Sequence, residues 1–96
     1  MATTVVHCKK DEYDIYIGRP SKWSNQFKIG QKYKGYTLTR ELAIECYKDW
    51  LLYSNEGVAL RVDIGELKDK TLGCWCKPLN CHGDFLALLA DQVIKP

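Results

Sequence analysis

Thr71-Leu72-Gly73-Cys74-Trp75-Cys76-Lys77-Pro78-Leu79-Asn80-Cys81-His82-Gly83-Asp84 is the stretch on which the fold turns. No polar residue alternates from Leu72 to Trp75, the pattern of a strand covered on both faces. Beyond Asp84, the residues Phe85, Leu88, Leu89 and Val93 recur at helical spacing, which predicts a helix starting near His82. A central strand feeding a helix through a short loop is a building unit of α/β domains.

Upstream, Lys68-Asp69-Lys70 reads as a polar turn. Thr39 is placed to cap a helix whose apolar positions Ala43, Cys46, Tyr47, Trp50 and Leu51 share one face, with Glu41 in its first turn. Asn55-Glu56-Gly57 interrupts it, and Val58 to Leu67 reads as a second short helix with Leu60, Ile64 and Leu67 on one side. From Ser21 to Lys34 no period holds, which predicts a long, partly packed loop carrying Trp23, Phe27 and Tyr33. Val5 to Cys8 and Ile15 to Ile17 are β-branched runs that read as two antiparallel strands of a hairpin, the second ended by Gly18-Arg19-Pro20. The order β, β, loop, α, α, β, α predicts one α/β domain over residues 1–96. Its expected form is a small sandwich: a short mixed sheet, made of the hairpin and the later central strand, covered by about three helices.

The composition agrees, since 46% hydrophobic and 27% charged residues belong to a folding chain and not to a collagenous, mucin-like or disordered one. A domain of this size buries roughly 60–70% of its unfolded surface, enough to fold without staples. Fourteen Lys and Arg stand interspersed among twelve Asp and Glu, so the chain lacks the basic stripe that bulk duplex DNA binding needs. The longest apolar run, the six residues Phe85 to Ala90, is far short of the ~20 that span a bilayer. Met1-Ala-Thr-Thr lacks the basic and apolar segments of a leader, and the expectation is a cytoplasmic protein without membrane contact. Five cysteines, an odd number, fit reduced thiols better than a disulfide framework. Self-association is left open by the sequence.

Two loops carry the chemistry. Arg19 to Trp23 sets a guanidinium, a hydroxyl, an ammonium and an indole in close succession, a set suited to one phosphate and one flat ring. Arg19, Ser21 and Lys22 would donate to phosphate oxygens while Trp23 stacked on a base. The competing structural reading makes Trp23 a cap on the core and pairs Arg19 with a surface carboxylate. The second loop, Cys74 to Asp84, ends at a helix N-terminus whose free N–H groups suit an anion. Gly83 allows close approach there, and Trp75, Cys76, Lys77 and His82 stand beside it. Ligands of open α/β sheets lie beyond the carboxyl ends of strands. If the strand before Gly18 and the central strand are parallel neighbours, the two loops converge.

Zinc has to be weighed, because Cys74, Cys76, Cys81 and His82 fall within one short stretch. The C-x-C spacing followed by an adjacent Cys-His departs from the separated ligand pairs of structural zinc sites, and Cys74 suits core burial. No metal and no cofactor is therefore expected. For catalysis, Cys76 or Cys81, near a helix N-terminus and beside Lys77 and His82, is a candidate nucleophile. Side chains adjacent in sequence seldom face each other, so His82 and Asp84 make the better acid/base candidates, although Asp84 also complements the helix dipole. His7 reads as an ordinary strand residue.

The elements Gly18-Arg19-Pro20-Ser21-Lys22-Trp23, Cys74-Trp75-Cys76 and Cys81-His82-Gly83-Asp84 resemble the signature of a small domain family of phages and bacteria, catalogued as a domain of unknown function. The likeness extends to Thr39-Arg40-Glu41 and Lys70-Thr71-Leu72-Gly73. It departs at Ser24-Asn25-Gln26-Phe27, where the family has Gly-Asn-Pro-Phe. The Cys…Cys-His element is also similar to one in a second uncharacterised family, with a Cys…Cys-His-Arg pattern, suspected of nucleotide-related chemistry. The resemblance implies a phage or bacterial cytosolic α/β protein with one site shared by both loops, and it implies no activity. Three functions follow as expectations. The first is a protein that binds a phosphate-containing small molecule or nucleotide, sequestering a host immune signal such as an ADP-ribose derivative or a cyclic nucleotide. The second is a nucleotide hydrolase or glycosidase-like enzyme using His82 and Asp84. The third is an interaction module that inhibits a host protein through its exposed aromatics.

Overall fold

The strand expected at the centre forms as Thr71–Cys74, and both of its edges are occupied. In the computed structural model, which describes residues 2–93, β1 is Thr4–His7, β2 Ile15–Tyr16, β3 Lys32–Tyr33, β4 Tyr36–Thr37 and β5 Thr71–Cys74. The helices are α1 (Arg40–Tyr53), α2 (Asn55–Arg61) and α3 (His82–Asp91), with a 3₁₀ turn at Ile64–Leu67. The sheet order is β1-β5-β2, and β1 and β2 each pair with β5 in parallel. The domain is thus α/β with three helices. Its strand pairing is mixed, a parallel sheet beside an antiparallel ribbon of β3 and β4.

The hairpin expected between β1 and β2 does not form, because β5 lies between them. Residues 8–14 instead carry the chain back so that β2 runs in the direction of β1. Both outer strands extend their ladders onto β5 through Cys8 N–H to Cys74 O at 2.8 Å, Asp14 N–H to Thr71 O at 2.7 Å and Ile17 N–H to Gly73 O at 2.9 Å. Two short apolar runs gain more from a common central partner than from each other, since a lone two-stranded hairpin is marginal in water. The returning connector explains Gly73: a Cβ there would lie 2.6 Å from Tyr13 Cγ, so only glycine lets the connector's tyrosine pass over the sheet.

Side chains of β5 alternate faces, and Leu72 and Cys74 enter the core with Ile17, Tyr47, Leu51, Leu67, Leu86 and Ala90. Each fully buried aliphatic side chain contributes about 1.5–3 kcal/mol. Helix α1 starts as expected, with Leu42 N–H donating to Thr39 Oγ1 at 3.2 Å. Ser54 ends α1 and starts α2. Its hydroxyl donates to Trp50 O at 2.6 Å and accepts from Gly57 N–H at 2.9 Å. Because of this double cap, α2 begins at Asn55 and not at Val58, and the expected single helix to Leu67 divides into α2 and the 3₁₀ turn. Arg61 then donates to the α1 carbonyls of Leu51 and Leu52 at 2.9 and 3.1 Å. The long loop is more ordered than expected: Lys34 and Gly35, at φ of 50 and 85°, make the two-residue turn that pairs β3 with β4.

Candidate functional site

Because β2 and β5 are parallel neighbours, the loops that follow them leave the sheet at one end. Two buried side chains fasten the first loop, one to the start of α3 and one to α1. His82, the first residue of α3, donates from Nε2 to the carbonyl of Ile17, 3.0 Å away, where the first loop departs. That bond fixes the tautomer and leaves Nδ1 facing Cys81 Sγ at 3.5 Å. Tyr47 of α1 donates its hydroxyl to the carbonyl of Trp23 at 2.9 Å, holding the far end of the same loop. Burial pushes the Tyr47 phenol well above its ordinary range. Burial also lowers the His82 pKa, and the nearby Arg19 charge adds to this against the opposing pull of the Ile17 and Trp23 carbonyls.

Between the fastened loops lies a cleft of about 580 Å³. Its lining comprises Gly18, Arg19 and Asn25 of the first loop, Trp75, Cys76 and Asn80 of the second, Arg40 and Ala43 of α1, and the buried Cys74 and His82. Arg19, Lys28 and Arg40 line it, and among the described lining residues there is no carboxylate. Arg19 Nε donates to Asn25 O at 3.0 Å and an Arg40 terminal nitrogen to Asn80 O at 3.2 Å. Both guanidinium groups therefore rest on backbone carbonyls, with their charge unneutralised and donors to spare. Phe27, Ile29 and Ile44 supply apolar lining. The combination is one of positive charge over a partly apolar surface, suited to an anion that carries a hydrophobic or flat part.

Of the residues expected at the site, Arg19, Trp75, Cys76 and His82 line this cleft; Ser21, Lys22, Trp23, Lys77 and Gly83 do not. Trp23 is 2% exposed and sits in the core, its Nε1 donating to Glu66 Oε1 at 3.1 Å, which is the structural role weighed against base stacking. Lys22 pairs with Glu66 at 2.7 Å and Asp63 at 3.3 Å, and Glu66 first among these raises its pKa. Ser21 Oγ is buried without a hydrogen-bond partner among the described residues. Lys77 is held by Asp84. Gly83 is packed under Ile17 and Val5, with its N–H donating to Cys81 Sγ at 3.4 Å, so the α3 N-terminus is closed from within. Asp84 completes that closure by accepting Cys81 N–H at 3.1 Å, leaving both its oxygens engaged.

Cys74 and Cys81 are buried and their thiols interact electrostatically. The neighbouring Cys74 thiol and burial raise the Cys81 pKa, whereas Cys74 is lowered by the Cys81 thiol and by the backbone N–H groups of Cys76 and Lys77. Among the described residues, no three His, Cys, Asp or Glu side chains converge as metal ligands. The nitrogens of His82 face Ile17 O and Cys81 Sγ.

Sequence reasoning passed over Arg40, Lys28, Asn25 and Tyr16. A signal for Arg40 existed: it is the first residue of α1, where a cation opposes the helix dipole and needs another reason to be there. Asn25 has a structural role of its own. Its side chain donates to Ala43 O at 3.2 Å and accepts Phe27 N–H at 2.8 Å, anchoring the first loop to α1.

Residues 5–92 match the family described as a domain of unknown function, DUF4326. The chain belongs to DUF4326. It is 33% identical over 92 residues to an uncharacterized 12.4 kDa protein of the nrdA-td intergenic region of Enterobacteria phage T4, covering 95% of this chain and 80% of the relative. It is 37% identical over 100 residues to the uncharacterized protein R718 of Acanthamoeba polyphaga mimivirus, covering 85% of this chain and 70% of that one. No solved structure matches it. Among the described residues of this DUF4326 chain, no helix is long and apolar enough to cross a membrane.

Proposed function

We propose that this protein binds a phosphate-bearing small molecule in the cleft between its two loops and retains it without turnover. The observation that carries the reading is the convergence of Arg19, Lys28 and Arg40 on one cleft with no carboxylate among its described lining residues. Three cations lining one cleft make a positive surface that an anion would neutralise. Guanidinium groups already steadied by backbone carbonyls lose little freedom when they clamp phosphate oxygens.

Retention without turnover rests on the state of the acid/base candidates. His82 spends Nε2 on a backbone carbonyl and Asp84 spends both oxygens on Cys81 and Lys77, so neither offers a free proton-transfer group to the cleft. Isothermal titration with pyrophosphate and with nucleoside phosphates, paired with native mass spectrometry of the purified chain, tests the reading. Arg19→Ala and Arg40→Ala should each weaken binding by about 1.5–3 kcal/mol, as for loss of a charged hydrogen bond. Unchanged affinity in both variants would sink the proposal. Recovery of a chemically altered ligand would replace retention by catalysis.

A further inference from the structure

Trp75 is 54% exposed, yet its ring is anchored by specific neighbours. Its Nε1 donates to the Tyr16 hydroxyl at 2.7 Å, and the His7 ring meets it edge-on with centroids 5.8 Å apart. The Tyr16 hydroxyl donates onward to Arg19 O at 3.0 Å, Arg19 Nε to Asn25 O at 3.0 Å, and Asn25 Nδ2 to Ala43 O in α1 at 3.2 Å. An unbroken series of contacts thus runs from the indole through the Arg19 guanidinium to the helix that begins with Arg40. Gly18 is shaped to the same end: a Cβ there would lie 2.6 Å from Tyr16 Cζ, so glycine leaves the tyrosine room to fold back towards Arg19. Trp75, Tyr16 and Arg19 all line the cleft.

From this geometry we infer that the Trp75 indole, backed by Tyr16, is the seat for a flat ring belonging to the same ligand whose phosphate lies on Arg19 and Arg40. The ligand class is then a nucleoside phosphate, in preference to a sugar phosphate or an inorganic anion. The inference rests on the phosphate reading of the cleft and adds the base to it. An exposed aromatic held rigid in advance surrenders little entropy when a base stacks on it. The occupant now over the indole is the Lys9 ammonium, 5.4 Å from the ring centroid, on an exposed chain that a stacking ring can displace.

The test titrates the full chain with pyrophosphate, ribose 5-phosphate, AMP, GMP, CMP and UMP. At least one nucleotide should bind about tenfold or more tightly than ribose 5-phosphate, the return expected of one stacked base. Trp75→Leu should abolish that difference while leaving pyrophosphate affinity within about twofold, and Trp75→Phe should keep part of it. Tyr16→Phe, which keeps a ring and removes the hydroxyl, should weaken nucleotide binding less than Trp75→Leu does. Nucleotides binding no tighter than ribose 5-phosphate, or a preference that survives Trp75→Leu, would overturn the base seat and leave the phosphate cleft standing. If neither pyrophosphate nor any nucleotide binds, both readings fall together.

Discussion

Trp23 and Trp75 each follow a parallel strand, in loops that leave the same end of the sheet, yet one is 2% exposed and the other 54%. Trp23 is packed in the core, its carbonyl held by the buried Tyr47 and its indole nitrogen by the surface carboxylate of Glu66. Trp75 is fastened by polar contacts at a cleft mouth, through Tyr16 and against His7. A buried indole is the ordinary use of so large an apolar surface, whereas an exposed and immobilised one calls for a reason beyond the fold. The same residue type in neighbouring loops therefore sits in two environments, and burial and the source of its anchoring tell them apart.

The sharpest way to break that contrast is to remove each ring in turn. Trp23→Ala empties part of the core and should cost about 3–5 kcal/mol, read as a lowered denaturant midpoint or an unfolded product. Trp75→Ala should change stability by about 0.5 kcal/mol or less, as exposed positions do. Equal losses in the two variants would show that Trp75 is structural and would remove the basis for a ring seat.

Tyr47→Phe is the next step down. It leaves the ring in place and takes away the hydroxyl that serves the Trp23 carbonyl within the core. A buried acceptor left without its donor costs about 1–3 kcal/mol. The loss should appear in the melting temperature, and ligand affinity measured well below the melting transition should hold. A wild-type melting temperature in Tyr47→Phe would mean that the first loop is secured elsewhere.

How much of this was legible beforehand follows the same division. The helical period of Ala43, Tyr47 and Leu51 and the apolar run of β5 are local patterns, so α1, the central strand and α3 could be read directly. Strand partners are not local. Val5 and Ile15 carry the same pattern whether they meet each other or both meet Leu72, and only the three-dimensional competition for β5 decides it. The loops showed which residue types had gathered and not which way they pointed. Arg19 and Lys22, three positions apart in one loop, end at a cleft lining and on a pair of surface carboxylates respectively. His82 was legible as functional chemistry because histidine usually titrates near neutrality, yet its use here is to join the two loops.

That use makes a pH prediction with a definite sign. Burial keeps the folded His82 pKa below its ordinary 6.5, while the unfolded chain titrates near that value. Above about pH 6.5 the imidazole is neutral in both states and its contribution to stability is fully present. As pH falls from there towards the lowered folded value, the unfolded state takes up the proton first and stability drains away. Melting temperature should accordingly fall across that window in the wild type. In His82→Gln, which has no titrating group, the profile should be flatter from a lower starting point, and an identical pH slope in both would reject His82 as the cause.

The smallest expected effect lies at Lys22 and completes the contrast between inward and outward groups of the first loop. Lys22 shares its neighbourhood with Trp23, its Nζ 5.3 Å from the ring centroid, but its charge is met by Glu66 and Asp63 at the surface. Exposed pairs of this kind are screened by water and salt. Arg19, by contrast, meets a backbone carbonyl and faces a cleft without carboxylates. Lys22→Ala should leave pyrophosphate and nucleotide affinity unchanged at 0.15 M salt, where a Debye length of about 8 Å mutes its field, whereas Arg19→Ala weakens both. A loss in Lys22→Ala as large as in Arg19→Ala would mean that the bound anion recruits Lys22 away from its carboxylates, and the boundary drawn between the two sides of the loop would have to move.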